Sequence, residues 1–164
     1  MLIEVYALSD LKKIIERTAI NSDKKVTQVF DSHNLQHESW IQPLKKRAFY
    51  KGKQEYQFSL GNLEDLDLWR RGICSLIHEQ SLEEFISRKD EEAALYPLLT
   101  CSPVDTAFGP VICERIYNEL VAGWKYIIHL QEDNLDEVIF FSELYLKWTR
   151  CFALGRKNGI VELF

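Results

Sequence analysis

His33 and His37 stand four residues apart in the run His-Asn-Leu-Gln-His-Glu. On a helix that spacing puts two imidazoles on one face, where they can share a zinc ion. The order is not the H-E-x-x-H of zinc hydrolases and no third ligand is marked, so both are read as polar loop residues. His78 and His129 fall near the ends of helical patterns, where a histidine complements the helix dipole. Catalysis by either needs an acid or nucleophile that no spacing supplies. Cys101 in Cys101-Ser102-Pro103 is the most reactive-looking thiol because it falls in a loop. A nucleophilic cysteine needs a neighbouring base and an electropositive site, and the sequence marks neither. There is no G-x-G-x-x-G and no Walker-type loop. The chain is therefore expected to hold no metal or cofactor and to have no catalytic residue.

Two further groupings could bind rather than react. Lys45-Lys46-Arg47, followed by Phe49, Tyr50, Lys51, Lys53 and Tyr56, mixes cations with aromatic rings, a mixture that grips single-stranded nucleic acid by charge and stacking. The same residues also suit an amphipathic hairpin with its rings turned inward. Acidic residues gather in three places: Glu64/Asp65/Asp67, then Glu83/Glu84 with Asp90/Glu91/Glu92, then Glu132/Asp133/Asp136/Glu137. Most of these fall in first helical turns, where negative charge is favoured by about 0.3–1 kcal/mol each. Capping explains their positions but not the size of the excess.

That excess is uneven along the chain. Residues 1–61 hold ten Lys and Arg against seven Asp and Glu, a surplus of three positive charges. Residues 62–164 hold ten against eighteen, a surplus of eight negative charges. An acidic second half disfavours nucleic acid and anionic lipid as partners and suits a basic protein. The 164 residues fit one domain, 1–164, long enough to bury a core without a disulfide or metal. Cys74, Cys113 and Cys151 lie inside helical apolar patterns and read as small buried hydrophobes; no C-x-x-C pair marks a zinc site. No apolar run approaches a membrane span, and the polar start, with Glu4 and no basic leader, is not a secretory signal, so a cytoplasmic location is expected.

The elements that must position these residues are clearest after residue 61. Asn62 caps a helix whose apolar positions are Leu63, Leu66, Trp69, Ile73, Leu76 and Ile77, with Gly72 marking a close approach. Ser81 and Glu84 form a capping box for a second helix through Phe85 and Ile86, continuing to Leu95 and Tyr96 and stopped by Pro97. Residues 100–109 read as loop. Pro110 opens a third helix with a stripe of Ile112, Cys113, Ile116, Leu120, Trp124, Ile127 and Ile128. A fourth begins near Asp133-Asn134 and carries Phe141, Leu144, Tyr145, Trp148, Cys151 and Phe152. Before residue 62, Ser9 caps a helix to about Ala19, Val26–Phe30 suits a short strand, Trp40 and Ile41 anchor a loop, and two strands around Gly52 form a hairpin. Ile160–Phe164 is a terminal strand or a tail on the bundle. The expected fold is mainly α: a single-domain bundle of four to five helices with a small N-terminal β element, α+β being the alternative.

In size, acidity, aromatic content and helix-rich pattern, the whole chain resembles a bacterial immunity protein of contact-dependent inhibition and related polymorphic toxin systems. The resemblance carries over no residue roles. It implies a protein that is not an enzyme and that binds one toxin, often a basic nuclease, and blocks its active site. Its partner-binding residues would be Glu83, Glu84, Asp90, Glu91, Glu92, Asp133, Asp136 and Glu137, with Trp40 and Tyr96 as anchors. A monomer or weak homodimer is expected. The alternatives are a small cytoplasmic enzyme using the carboxylates or Cys101, and a nucleic-acid-associated protein using residues 45–56.

Overall fold

Ile3, Val5 and Ala7 alternate with Glu4, Tyr6 and Leu8, and this period of two builds the strand on which the rest of the chain is assembled. In the computed structural model, which describes residues 2–14, 29–32, 37–130 and 135–164, that strand is β1 (Ile3–Leu8). The others are β2 (Lys12–Ile14), β3 (Val29–Asp31), β4 (Phe49–Lys51), β5 (Glu55–Gly61), β6 (Thr106–Phe108) and β7 (Ile160–Leu163). The helices are α1 (Leu63–His78), α2 (Leu82–Ser87), α3 (Tyr96–Thr100), α4 (Pro110–Ile127) and α5 (Leu135–Gly155), with a short 3-10 helix at Glu38–Ile41. A four-stranded antiparallel sheet runs β5-β1-β7-β6, and a three-stranded one runs β2-β4-β3.

The architecture is thus α+β, not the expected helical bundle: 50% of the described residues are helix and 20% strand, with both sheets packed against helices. The last residues decide this. Ile160–Leu163 is no tail; it lies between β1 and β6, so the two ends of the chain are adjacent strands at the middle of the sheet. One face of that sheet, with Ile3, Val5, Ala7, Phe58, Leu60, Phe108, Val161 and Leu163, joins the helices in a single core. The apolar stripe of α5 meets strands as well as helices: the rings of Trp148 and Phe58 pack edge-on, 5.4 Å apart. The other face contributes Leu8, Ala107 and Ile160 to a second core, with Phe30, Ile41, Ala48 and Tyr50.

The helix expected from Ser9 is absent at Lys12–Ile14, which is strand β2. The cap is taken: Ser9 is buried and exchanges backbone hydrogen bonds with Gln54 and Lys53, while the N–H groups of Asp10 and Leu11 reach the carbonyls of Lys157 and Asn158. The remainder of that helix, and residues 26–28 of the expected strand, lie outside the described residues. Phe49–Lys51 and Glu55–Gly61 are strands, but they belong to different sheets and are not a hairpin. Gly52 makes the passage between them under Leu8, whose Cβ an added methyl would meet at 2.9 Å. The second helix ends at Ser87, with Lys89 left-handed at φ 51°, and Pro97 sits in the first turn of α3 instead of stopping its predecessor. Residues 100–109 contain β6. Trp124 is only partly buried, against Tyr145, as are Leu76 and Ile77, and Leu63 and Ile128 are exposed, whereas the rest of the α1 and α4 stripes lie inside as expected. Gly72 does mark a close approach: a methyl there would run into the Phe141 ring. All four cysteines are free and buried, Cys101 included, so it is not the open loop thiol expected. No helix among the described residues is long and apolar enough to cross a membrane.

Glu162 lies opposite Tyr6 on β1 and Ala107 on β6, toward the second core. Burial, together with the like charges of Asp31 and Asp105, pushes its carboxyl up to about 7. The folded state therefore holds this proton more tightly than the unfolded chain, whose carboxyl titrates near 4.5. Stability should fall as pH rises through that interval, by up to roughly 3 kcal/mol at about 1.4 kcal/mol per pH unit. Glu162→Gln should flatten this slope and be the more stable form at pH above 7. Burial lowers the pKa of His78, which works in the opposite sense on the acid side. The difference between wild type and variant in urea midpoints across pH isolates Glu162; equal slopes would refute the assignment.

Candidate functional site

A cleft of about 510 Å³ opens between the 3-10 helix, the turn before α3 and the first turns of α4; His37, Trp40, Glu91, Glu92, Tyr96 and Arg115 are among its walls. Four residues expected to bind a partner, chosen from scattered sequence positions, thus meet in one place.

Each wall is fixed by local chemistry. Ile41 is fully buried and pins the 3-10 helix. The carbonyl of Trp40 accepts the N–H of Gly109 at 2.7 Å, tying the same helix to the start of α4. Gly109 is the N-cap of α4, and only a residue without a Cβ fits there, because a methyl would collide with the backbone of Ile41. The indole of Trp40 then leans on Phe108 (5.7 Å between ring centroids), and His37 stacks on Trp40 at 4.1 Å. Gly109→Ala should cost about 1–3 kcal/mol as an overpacked site and alter the tryptophan emission. A thermal melt with fluorescence detection checks both, and wild-type behaviour would show that the contact is not tight.

On the opposite wall, Asp90–Glu92 form an exposed turn and not the helical face expected. Arg115 reaches across from α4 and donates to the carbonyls of Glu92 (2.7 Å) and Glu91 (3.4 Å). The guanidinium is spent on the backbone of the turn, and among the described residues no side chain pairs with the carboxylates of Glu91 and Glu92. Tyr96 opens α3 with its ring against Phe85 at 6.2 Å. Chemically, the cleft offers one stacked aromatic pair, one phenol and two uncommitted carboxylates. That set suits a guanidinium or ammonium group, by cation–π contact of about 0.5–2 kcal/mol and charge-assisted hydrogen bonds.

The remaining predicted residues do not join this cleft. Asp90 lies on the same turn but not among its lining residues. Glu83 is paired with Arg71, which also holds Asp67 at 2.7 Å, and Glu84 closes the capping box of α2 with Ser81. Asp136 and Glu137 are exposed in the first turn of α5, Glu137 at the mouth of an apolar groove between α1 and α5 with Leu68 and Phe141. Asp133 lies outside the described residues, as does His33. Of the described acidic residues expected to bind a partner, only Glu91 and Glu92 line the cleft. Sequence reasoning missed Arg115, whose role appears only when α4 passes the turn, and it weighed His37 as a metal ligand or a polar loop residue, not as a ring stacked on Trp40.

Nor do the other chemical groupings assemble as sites. Cys101 is buried at 3% exposure, and burial pushes its thiol up although the Arg70 guanidinium donates to its Sγ at 2.8 Å. Among the described residues no three His, Cys, Asp or Glu side chains are placed to hold a metal ion. In the 45–56 segment Tyr50 is buried, its hydroxyl accepting the Lys45 N–H at 2.7 Å, and Tyr56 is half-buried beneath Arg150. The sequence matches no protein-family model, and neither a curated protein nor a solved structure is significantly similar to it.

Proposed function

We propose that this chain is an immunity-type inhibitor that acts in the cytoplasm by binding a basic toxin domain, and that a Lys or Arg of that partner enters the cleft between Trp40 and Tyr96. The observation that carries the reading is the convergence of two aromatic rings and two uncommitted carboxylates in one concave site. Protein interfaces concentrate their energy in such places, where a few anchors sit in a pocket and charge sets specificity. The net charge of −5, with the acidic excess in the second half, steers a cationic partner toward it.

The test is retrieval of the partner with the tagged chain from its native host. The expected result is one basic domain in one-to-one complex, toxic when expressed alone and harmless when co-expressed with this chain. A retrieved partner that is acidic, or that is not neutralised by co-expression, would overturn the reading.

A further inference from the structure

A sheet edge left open is a template for another strand, and proteins usually blunt it by shortness, by Lys or Pro, or by covering it. Among the described residues, three of the four edges are blunted. Strands β2, β3 and β6 are three residues long. β2 carries Lys12 and Lys13, and β6 lies beside the 3-10 helix, with the Gly109–Trp40 hydrogen bond just past its end. β5 is different. It is seven residues long, has no Lys or Pro, and carries its single charge at Glu55, its first residue. In the four-stranded sheet it is terminal, paired with β1 alone among the described residues.

The direction of its backbone groups follows from the ladder. Glu4 exchanges both backbone hydrogen bonds with Phe164. In an antiparallel pair such exchanges alternate residue by residue. Tyr6 and Leu8 therefore turn their N–H and C=O toward β7, and Val5 and Ala7 turn theirs toward β5. Phe58 and Tyr56, opposite Val5 and Ala7, are satisfied by β1. Gln57 and Ser59 point theirs away from the sheet, and both residues are exposed. The register shift lies beyond Ser59, between the pairs Glu4–Ser59 and Ile3–Gly61, so the stretch from Tyr56 to Ser59 is regular.

The geometry points to a second copy of this chain as the occupant: β5 pairs antiparallel with its own counterpart about a two-fold axis at Phe58, joining two four-stranded sheets into one of eight strands. The strand is complementary to itself in this register. Gln57 of each copy faces Ser59 of the other, and the two pairs exchange four N–H to carbonyl bonds. Tyr56 faces Leu60, so ring meets aliphatic side chain on the helix-covered face. The two Glu55 carboxylates face Gly61 of the other copy and stand at opposite ends of the pairing, so no like charges oppose each other. Such an isologous contact closes on itself and stops at a dimer.

Sedimentation of the full chain over a concentration series tests this, with three forms compared. Wild type should reach a dimer at its highest soluble concentrations. Gln57→Lys with Ser59→Lys sets two Lys–Lys pairs across the axis while leaving the backbone unchanged, and should weaken the dimer about tenfold or more. Gln57→Lys with Ser59→Glu sets Lys against Glu in each pair and should restore it. Circular dichroism confirms that each variant is folded; both positions are exposed, and a Lys substitution there leaves the core intact. A wild type that stays monomeric overturns the proposal, as does a double-Lys variant that dimerises like wild type.

Discussion

Trp148→Ala is expected to cost about 3–5 kcal/mol of folding stability, the range for emptying a large aromatic site in a core. Trp148 has no exposed surface and touches every layer that meets there. Its ring lies 5.7 Å from Trp69 of α1, 5.4 Å from Phe58 of β5 in an edge-on contact, and 5.6 Å from Phe152 one turn along α5. Helix α1, helix α5 and the sheet all lose a partner when it is removed. Domains of this size are stable by only about 5–15 kcal/mol, so the variant should be close to unfolding at physiological temperature. Trp124→Ala is the control. That ring is half-buried against Tyr145 at the edge of α4, and its loss should cost less than half as much. Urea denaturation of the two variants beside wild type decides the matter. Equal midpoints for Trp124→Ala and Trp148→Ala would contradict the placement of the core.

The second large effect is on binding. Trp40→Ala should weaken the proposed complex with a basic partner by roughly 30-fold or more, corresponding to the about 2 kcal/mol that defines an interface anchor. Glu91→Lys with Glu92→Lys should weaken it further, because the carboxylates are replaced by charges that repel the incoming cation. Folding should be little changed by the glutamate reversal, since both residues are exposed and Arg115 holds their turn by its carbonyls. Glu83→Lys is the matched control: Glu83 is exposed too, but it is committed to Arg71 and is not among the residues lining the cleft. Titration calorimetry on the four proteins checks this, and a Glu83→Lys effect as large as that of Glu91 and Glu92 would move the interface to the α1–α2 junction.

The helical half was legible because its signals are local. The Asn62 cap, the Ser81 capping box, Pro110 at the first turn of α4 and steps of three and four in α1, α4 and α5 each lie within a few residues of what they determine. The sheet was not, because its pairings join distant residues: β1 with β7 across almost the whole chain, and β5 with β1 instead of β4. Nothing near Ile160 distinguishes a central strand from a tail; both are short apolar runs. Ser9 shows the same limit from the other side: a sound N-cap residue is overruled when its backbone is claimed by Gln54 and Lys53. In the cleft, Trp40, Tyr96, Glu91 and Glu92 are legible as binding groups by residue type alone. Their meeting depends on the Gly109 contact and on Arg115 crossing to the turn, neither of which any spacing encodes.

The central claim is that Glu91 and Glu92 receive a cationic partner, and the most direct measurement is the association rate against ionic strength for wild type and for Glu91→Lys with Glu92→Lys. The wild-type rate should be high at low salt and fall steeply as salt shortens the Debye length, from about 30 Å at 0.01 M to about 3 Å at 1 M. The variant should associate slowly at low salt, and the two curves should converge at high salt. Identical rates for both proteins at every ionic strength would contradict the assignment of this cleft as the partner site.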